Sequence, residues 1–550
     1  MRGRLQDVGW RRVVALAVGL VTTVAISAAP ASGALAPAGS SAVSPKIACG
    51  ALPGVDFRHL PGAATTVSSA VVATAAQGYE YCDVRGVIAP HITFEIQLPT
   101  KTWTQRYMQT GCGGLCGAVG IGVIAADGCA PVNNGEYVMA SDDTGHTGVT
   151  NTDGSWAANN PQAKIDFGFR SEHVMSVVAK RVIKTFYGQG PKYSYFDSCS
   201  NGGRQALVEA QRFPYDFNGI IAGAPANIWS GLVGEAAPYV ALANRDANGK
   251  QILGQEKLAP LHKAVLAACD ALDGLVDGQI SDPRDCHFHP ATVACPTGVD
   301  RVDCLTPAQV STVTKFYDGV RDPRGVRLYP GALEPGSELA WLGWEVAVPG
   351  VIDPALAYQF GENYLKYMAY LKNPPASFTL KDTTFDDRSF TAQQPLNQIY
   401  AAQSPDLSAF RNAGGKLIVW HGWADSAIPP QGTLAYRQAV EDRMGGYAAV
   451  QRFSRLFMLP QVAHCGGGDA PDAINLVDPI VSWVEHGVAP TEVTATMRNG
   501  NTVVRTRPIY NYPVETQYNG DGDINSAANF HPVVPSHRPN DHIAWLGSFH

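Results

Sequence analysis

Two hydrophobic periods alternate along this chain, and the switch between them predicts its architecture. Runs rich in β-branched and aromatic residues at His91–Leu98, Arg106–Gln109 and Tyr137–Ala140 each end in Gly, Asp or Asn clusters, the pattern of strands closed by turns. Tyr193–Ser198 is a further short strand. Gly202–Arg212 follows at once, with Ala206, Leu207 and Ala210 on one helical face. Phe217–Ala222 reads as a buried strand closed by Gly223-Ala224-Pro225, and the rhythm returns at Lys416–Trp420 and Arg455–Leu459. Strands alternating with helices predict a parallel sheet covered on both sides, and so an α/β fold.

Between roughly Asn227 and Gln394 that rhythm is lost. Cysteines cluster, acidic loops appear and aromatic residues are dense, which predicts a lid inserted into the sheet. A chain of 550 residues exceeds the usual size of one compact domain, in keeping with an insertion. The expected organisation is a leader over 1–34, a core in two parts over 35–226 and 395–550, and a lid domain over 227–394.

The leader has a basic start (Arg2, Arg4, Arg11, Arg12), an apolar run from Val13 to Ala29, and small residues at Ser32-Gly33-Ala34. That is a secretory signal with cleavage after Ala34, and it predicts a secreted protein. The apolar run approaches spanning length, but cleavage chemistry follows directly and no later segment is long and apolar enough to span. Arg11-Arg12 also permits a twin-arginine route. Removing the leader takes away four Arg and one Asp and moves the formal charge from −7 to −10. An acidic chain without a basic run is a poor partner for nucleic acid or an anionic membrane, and a small, largely uncharged substrate suits it better. Oligomeric state has no signature in the sequence. Eleven cysteines in an exported chain predict a disulfide framework with one thiol left over. Zinc spacings are missing, because Cys112 and Cys116 lie in a Gly-rich loop without a further pair at finger spacing.

Three segments carry the candidate chemistry. Ser198-Cys199-Ser200-Asn201-Gly202-Gly203 lies between a strand and a helix, where an α/β-hydrolase holds its nucleophilic serine on a tight turn flanked by small residues. Gly202 fits that pattern and Ser198 replaces the usual first glycine. At the start of the following helix, free N–H groups favour developing negative charge. Asp425 lies on the loop after the strand Lys416–Trp420, where such a fold places the carboxylate that fixes a histidine tautomer. His421, on the same loop, is expected to pack locally. His464 lies in the loop after Arg455–Leu459, completing the chain order Ser, Asp, His of the α/β-hydrolases. Cys199 precedes the serine and Cys465 follows the histidine. If the serine and histidine are in hydrogen-bond reach, the two cysteines can lie about 5.5–6 Å apart at Cα, which suits a disulfide.

With these motifs the chain resembles the tannase/feruloyl esterase family, which includes enzymes acting on mono(2-hydroxyethyl) terephthalate. The likeness rests on Cys199-Ser200, Asp425 and His464-Cys465, with support from Ser200–Arg204, Ala140–His146 and His421–Asp425. It implies an α/β-hydrolase fold with a large inserted lid domain, a Ser200-His464-Asp425 triad and a carboxylic ester hydrolase. It also implies an oxyanion hole from Gly113 or Gly114 with the Asn201 N–H, and a structural calcium in the lid held by Asp270, Asp273 and Asp277 with the Leu275 and Gln279 carbonyls. The implied bridges are Cys199–Cys465, Cys269–Cys286, Cys295–Cys304 and Cys49–Cys82, which leaves one of Cys112, Cys116 and Cys129 unpaired. A cysteine-closed segment of the family is absent here: Arg507–Pro513 and Phe530-His531 lack both halves of it. The implied substrates are small aromatic esters of gallate, ferulate and related cinnamates, with phenolic plant esters the default, or terephthalate monoesters. Trp341, Trp344, Phe360, Tyr364 and Tyr367 are candidates for an aromatic wall, although lid core is the expected role for most of them. A non-catalytic binding protein on this scaffold would be expected to have lost a site residue, yet all are present.

Overall fold

The computed structural model describes residues 41–549, and the leader therefore lies outside the described residues. Among these residues nine strands form one sheet: β1 (Thr65–Thr74), β2 (Glu80–Ile88), β3 (Ile92–Pro99), β4 (Arg106–Gln109), β5 (Tyr137–Asp142), β6 (Tyr193–Cys199), β7 (Gly219–Gly223), β8 (Lys416–Gly422) and β9 (Ser454–Leu459). Their spatial order is β1-β2-β3-β5-β4-β6-β7-β8-β9. From β5 to β9 every pairing is parallel, as the strand–helix rhythm predicts.

The other end of the sheet differs from that expectation: β1, β2 and β3 pair antiparallel, and β3 also runs antiparallel to β5. Helical crossovers are not needed where hairpins connect neighbours. One face of this edge meets water, so β1 buries Thr65 and Val67 while exposing Thr66 and Ser68.

The parallel strands β7, β8 and β9 contain near-continuous hydrophobic runs because both faces are covered. Along β9, Leu456 and Met458 join the core beneath the helices Ser171–Tyr187 and Gln431–Met444, whereas Phe457 and Leu459 join the opposite core. That second core includes Ile480 and Trp483 from the helix Val477–His486. A hairpin of β10 (Glu492–Asn499) and β11 (Thr502–Tyr510) packs Val493, Ala495 and Ile509 into it.

Between β7 and β8 the chain leaves the sheet and builds a third core from Trp229, Val265, Phe316, Trp341 and Tyr364. Local signals start its helices: Thr306 and Gln309 form a reciprocal cap on Pro307–Asp318, and Asp386 caps Asp387–Tyr400 through the Ser389 amide.

Five disulfides close the fold: Cys49–Cys82, Cys112–Cys116, Cys199–Cys465, Cys269–Cys286 and Cys295–Cys304. Cys129 is the leftover thiol, buried, and burial pushes it up to about 12. Where the family's C-terminal staple is absent, β12 (Glu515–Tyr518) pairs with β13 (Phe530–Val533), and the Arg507 guanidinium lies 3.8 Å from the centroid of the Phe530 ring. A cation over an aromatic face joins the two segments without sulfur.

Cys49–Cys82 ties the N-terminal segment to β2 across 33 residues. Replacing both cysteines by serine is expected to cost about 3–4 kcal/mol in a denaturant titration, by loop entropy returned to the unfolded chain. An unchanged unfolding free energy would contradict that role.

Candidate active site

Parallel strands share a carboxyl edge, and the loops leaving β6, β8 and β9 all emerge there. Ser200 follows β6 directly and starts the helix Asn201–Arg212 with φ of +67° and ψ of −127°. Such a conformation costs a non-glycine residue about 1–3 kcal/mol and persists only where the surroundings enforce it. Here the Ser200 amide donates to the Gly223 carbonyl at 3.0 Å, while its own carbonyl accepts from the Ala226 amide at 3.1 Å. Close packing completes the turn. A Cβ on Gly202 would fall 1.9 Å from Ser198 Oγ, and one on Gly203 would fall 2.1 Å from the Gly223 carbonyl oxygen.

The loops after β8 and β9 are joined by backbone. Trp423 N–H donates to Leu459 O at 2.8 Å, and Ala424 N–H donates to Val462 O at 3.0 Å. These bonds bring Asp425 and His464 together. His464 Nδ1 lies 2.8 Å from Asp425 Oδ2, and His464 Nε2 lies 2.9 Å from Ser200 Oγ. A carboxylate only accepts, so Nδ1 carries the proton and Nε2 is free to take one from the serine. The Cys199–Cys465 bridge, with Cα atoms 6.0 Å apart, sits directly beside this contact.

Asp425 is wholly buried. Burial alone would raise its pKa, but the facing His464 and the hydrogen bonds from His421 and His464 outweigh it and hold the carboxyl below its usual range. Its Oδ1 also accepts from the Ile428 amide at 2.9 Å. His421 is fully buried beside it, with Nε2 at 3.2 Å from Asp425 Oδ2 and Nδ1 at 2.8 Å from Thr433 Oγ1. Its local packing therefore positions the acid.

Gly113, Gly114 and Asn201 line the same cavity of about 290 Å³ as Ser200 and His464. The Gly-rich loop is propped from below. His146 Nε2–H donates to Leu115 O at 2.9 Å, and its ring stacks on Trp156 at 3.7 Å. Burial pulls His146 down to about 4, so it stays neutral. Arg204, read in the sequence only as part of a shared run, is a buried brace. Its Nε donates to Asn201 Oδ1 at 2.7 Å, and its terminal nitrogens donate to the Phe167, Gly168 and Tyr400 carbonyls.

Of the five candidate wall residues, Trp344 and Phe360 line the cavity, stacked at 5.9 Å, with Trp344 edge-on to His464 at 5.2 Å. Trp341 and Tyr364 are instead fully buried in the core of the β7–β8 insertion, and Tyr367 packs against that core. Sequence reasoning missed Trp229, Leu232 and Glu345, which also line the cavity. Pattern alone held no signal for them, because their faces are set by how the insertion folds back over the sheet.

Asp273, Leu275, Asp277 and Gln279 line one small cavity of about 20 Å³. Asp270 Oδ2 accepts from the Gly278 amide at 3.0 Å, and Asp277 pairs with Arg507. Among the described residues no His, Cys, Asp and Glu side chains converge as a ready-made metal cluster.

Comparison with known proteins identifies the family and the fold. The sequence profile described as tannase and feruloyl esterase matches residues 73–533. A probable feruloyl esterase of Arthroderma benhamiae is 36% identical over 458 residues, covering 79% of this chain and 81% of its own length. A mono(2-hydroxyethyl) terephthalate hydrolase of Piscinibacter sakaiensis is 30% identical over 544 residues, covering 86% and 89%. The crystal structure of feruloyl esterase B from Aspergillus oryzae superposes with a TM-score of 0.75 at 28% identity, covering 85% of this chain and 97% of that one. That likeness establishes the α/β-hydrolase fold. The chain belongs to the tannase and feruloyl esterase family of carboxylic ester hydrolases.

Proposed function

We propose that Ser200, His464 and Asp425 form a catalytic triad that hydrolyses esters of aromatic phenolic acids such as ferulate or gallate. The observation that carries this reading is the unbroken relay from Asp425 Oδ2 through His464 to Ser200 Oγ at the mouth of the cavity. His464 Nε2 takes the Ser200 proton as Oγ attacks the ester carbonyl, and Asp425 stabilises the imidazolium that results. The backbone N–H groups of Asn201 and of Gly113 or Gly114 hold the oxyanion. His464 then gives its proton to the departing alkoxide, and a water activated the same way cleaves the acyl-enzyme.

A mostly apolar cavity lined by Trp229, Trp344 and Phe360 favours an aromatic acid. Among the described residues lining it there is no Lys or Arg, which favours a phenolic acyl group over the free carboxylate of a terephthalate monoester. The segment 227–394 acts as the lid domain that supplies these three residues. Export to the cell exterior is supported by the leader and the five disulfides. Among the described residues no helix is long and apolar enough to cross a membrane.

The lid loop is proposed to bind a structural calcium through Asp270, Asp273, Asp277 and the Leu275 and Gln279 carbonyls. The cavity bordered by four of these residues, and their hard oxygen donors, support the fit. Bound there, calcium would offset the mutual repulsion of three nearby carboxylates.

With purified protein, methyl ferulate or methyl gallate is expected to be cleaved faster than mono(2-hydroxyethyl) terephthalate. Ser200→Ala is expected to abolish all three activities with the circular dichroism spectrum unchanged. Substantial hydrolysis by the variant would refute the nucleophile, and preference for the terephthalate ester would refute the substrate class. Chelation with EGTA is expected to lower the Tm, with recovery on adding calcium, and an unmoved Tm would remove the metal from the account.

A further inference from the structure

The cavity above Ser200 contains one side chain that the ester-cleaving chemistry leaves without a role. Among the described residues lining it, Glu345 is the single Asp, Glu, Lys or Arg. It is only 2% exposed, and its Oε2 has no hydrogen-bond partner among the described residues. Leaving such an oxygen alone in an apolar wall is unfavourable. A partner that arrives with the substrate removes that cost.

The base of this side chain is fixed from both directions. Glu345 N–H donates to Trp341 O at 2.9 Å, and its carbonyl accepts from the buried Asn244 Nδ2 at 3.1 Å. Trp344, its neighbour in sequence, lines the same cavity and stands edge-on to His464. A ring lodged against Trp344 therefore lies in the compartment that Glu345 also lines. A second lining residue, Trp229, also keeps its indole N–H without an acceptor among the described residues.

The charge environment sets what Glu345 can recognise. Burial pushes its pKa well above the usual carboxylate range, a hydrogen bond with Ser426 pulls the other way, and the nearby Asp425 adds to the rise. A protonated carboxyl donates one O–H and accepts at its other oxygen, and a carboxylate accepts at both. With no Lys or Arg among the described lining residues, either form suits a hydroxyl group better than an anion.

We infer that Glu345 is a specificity-determining residue whose carboxyl hydrogen-bonds a hydroxyl group of the ester substrate. The inference rests on the proposed ester-hydrolase reading of this cavity and names the polar group that the substrate carries. A hydroxyl on the aromatic acyl ring and one on the alcohol present the same chemistry, so two substrate pairs separate them. Methyl 4-hydroxycinnamate against methyl cinnamate tests the ring. 2-Hydroxyethyl cinnamate against propyl cinnamate tests the alcohol.

For Glu345→Leu, kcat/KM is expected to fall about 10- to 100-fold more for the hydroxylated ester of one pair than for its plain partner. Glu345→Gln, which still donates and accepts, is expected to keep that preference within a few-fold. If the leucine variant fails to fold, Glu345→Ala carries the same comparison. Equal losses on both members of both pairs, or no loss at all, would overturn the inference while leaving the triad standing. Failure of the wild-type protein on all four esters would overturn the ester-hydrolase reading as well.

Discussion

Two stretches of chain separated by 266 residues meet at the Cys199–Cys465 bond, and the site is organised around that junction. Each cysteine is covalently next to one partner of the Ser200–His464 hydrogen bond, so the bridge limits how far the two can drift. A serine–histidine hydrogen bond of 2.9 Å tolerates little displacement, since misplacement by about 1 Å can cost on the order of a hundredfold in rate. Without the link, alignment would depend on two loops at the sheet rim and on the strained turn at Ser200.

The remaining supports act in series behind that bond. Gly202, Gly203 and Gly422 let backbone segments approach where a Cβ would collide, and the Asp425 and His464 loops share backbone hydrogen bonds. His421 fixes the acid, His146 props the Gly-rich loop, and Arg204 ties Asn201 to carbonyls of neighbouring segments. Each is a buried polar group with its partners supplied, which is how a low-dielectric site stays rigid. Glu345 stands apart because its Oε2 has no partner among the described residues, although the residue lines the cavity.

Much of this was legible in the sequence. Strands β7–β9 were readable because both faces are buried, which leaves near-continuous apolar runs such as Leu417–Trp420, and β4 and β6 by their aromatic residues. The meeting of Ser200, Asp425 and His464 was readable because each follows a strand on a short loop, and the flanking cysteines announced the long-range contact. The antiparallel edge was hidden by composition. Thr65–Thr74 is rich in Ser, Thr and Ala, and its inward and outward positions differ little in polarity. Glu345 and Trp229 were hidden for another reason. An acid between apolar residues ordinarily reads as a surface group, and only the fold of the insertion brings it to the cavity that Ser200 lines.

The most direct test compares wild-type protein with the Cys199→Ser/Cys465→Ser double variant in their reaction with diethyl 4-nitrophenyl phosphate. In that reaction Ser200 Oγ bonds to phosphorus and 4-nitrophenolate departs, so the rate reports activated serine independently of substrate choice. Peptide mass spectrometry is expected to find the phosphoryl group on Ser200, with a rate about a hundredfold lower in the double variant at preserved secondary structure. Labelling at the same rate without the bridge, or labelling at a serine elsewhere, would contradict the account.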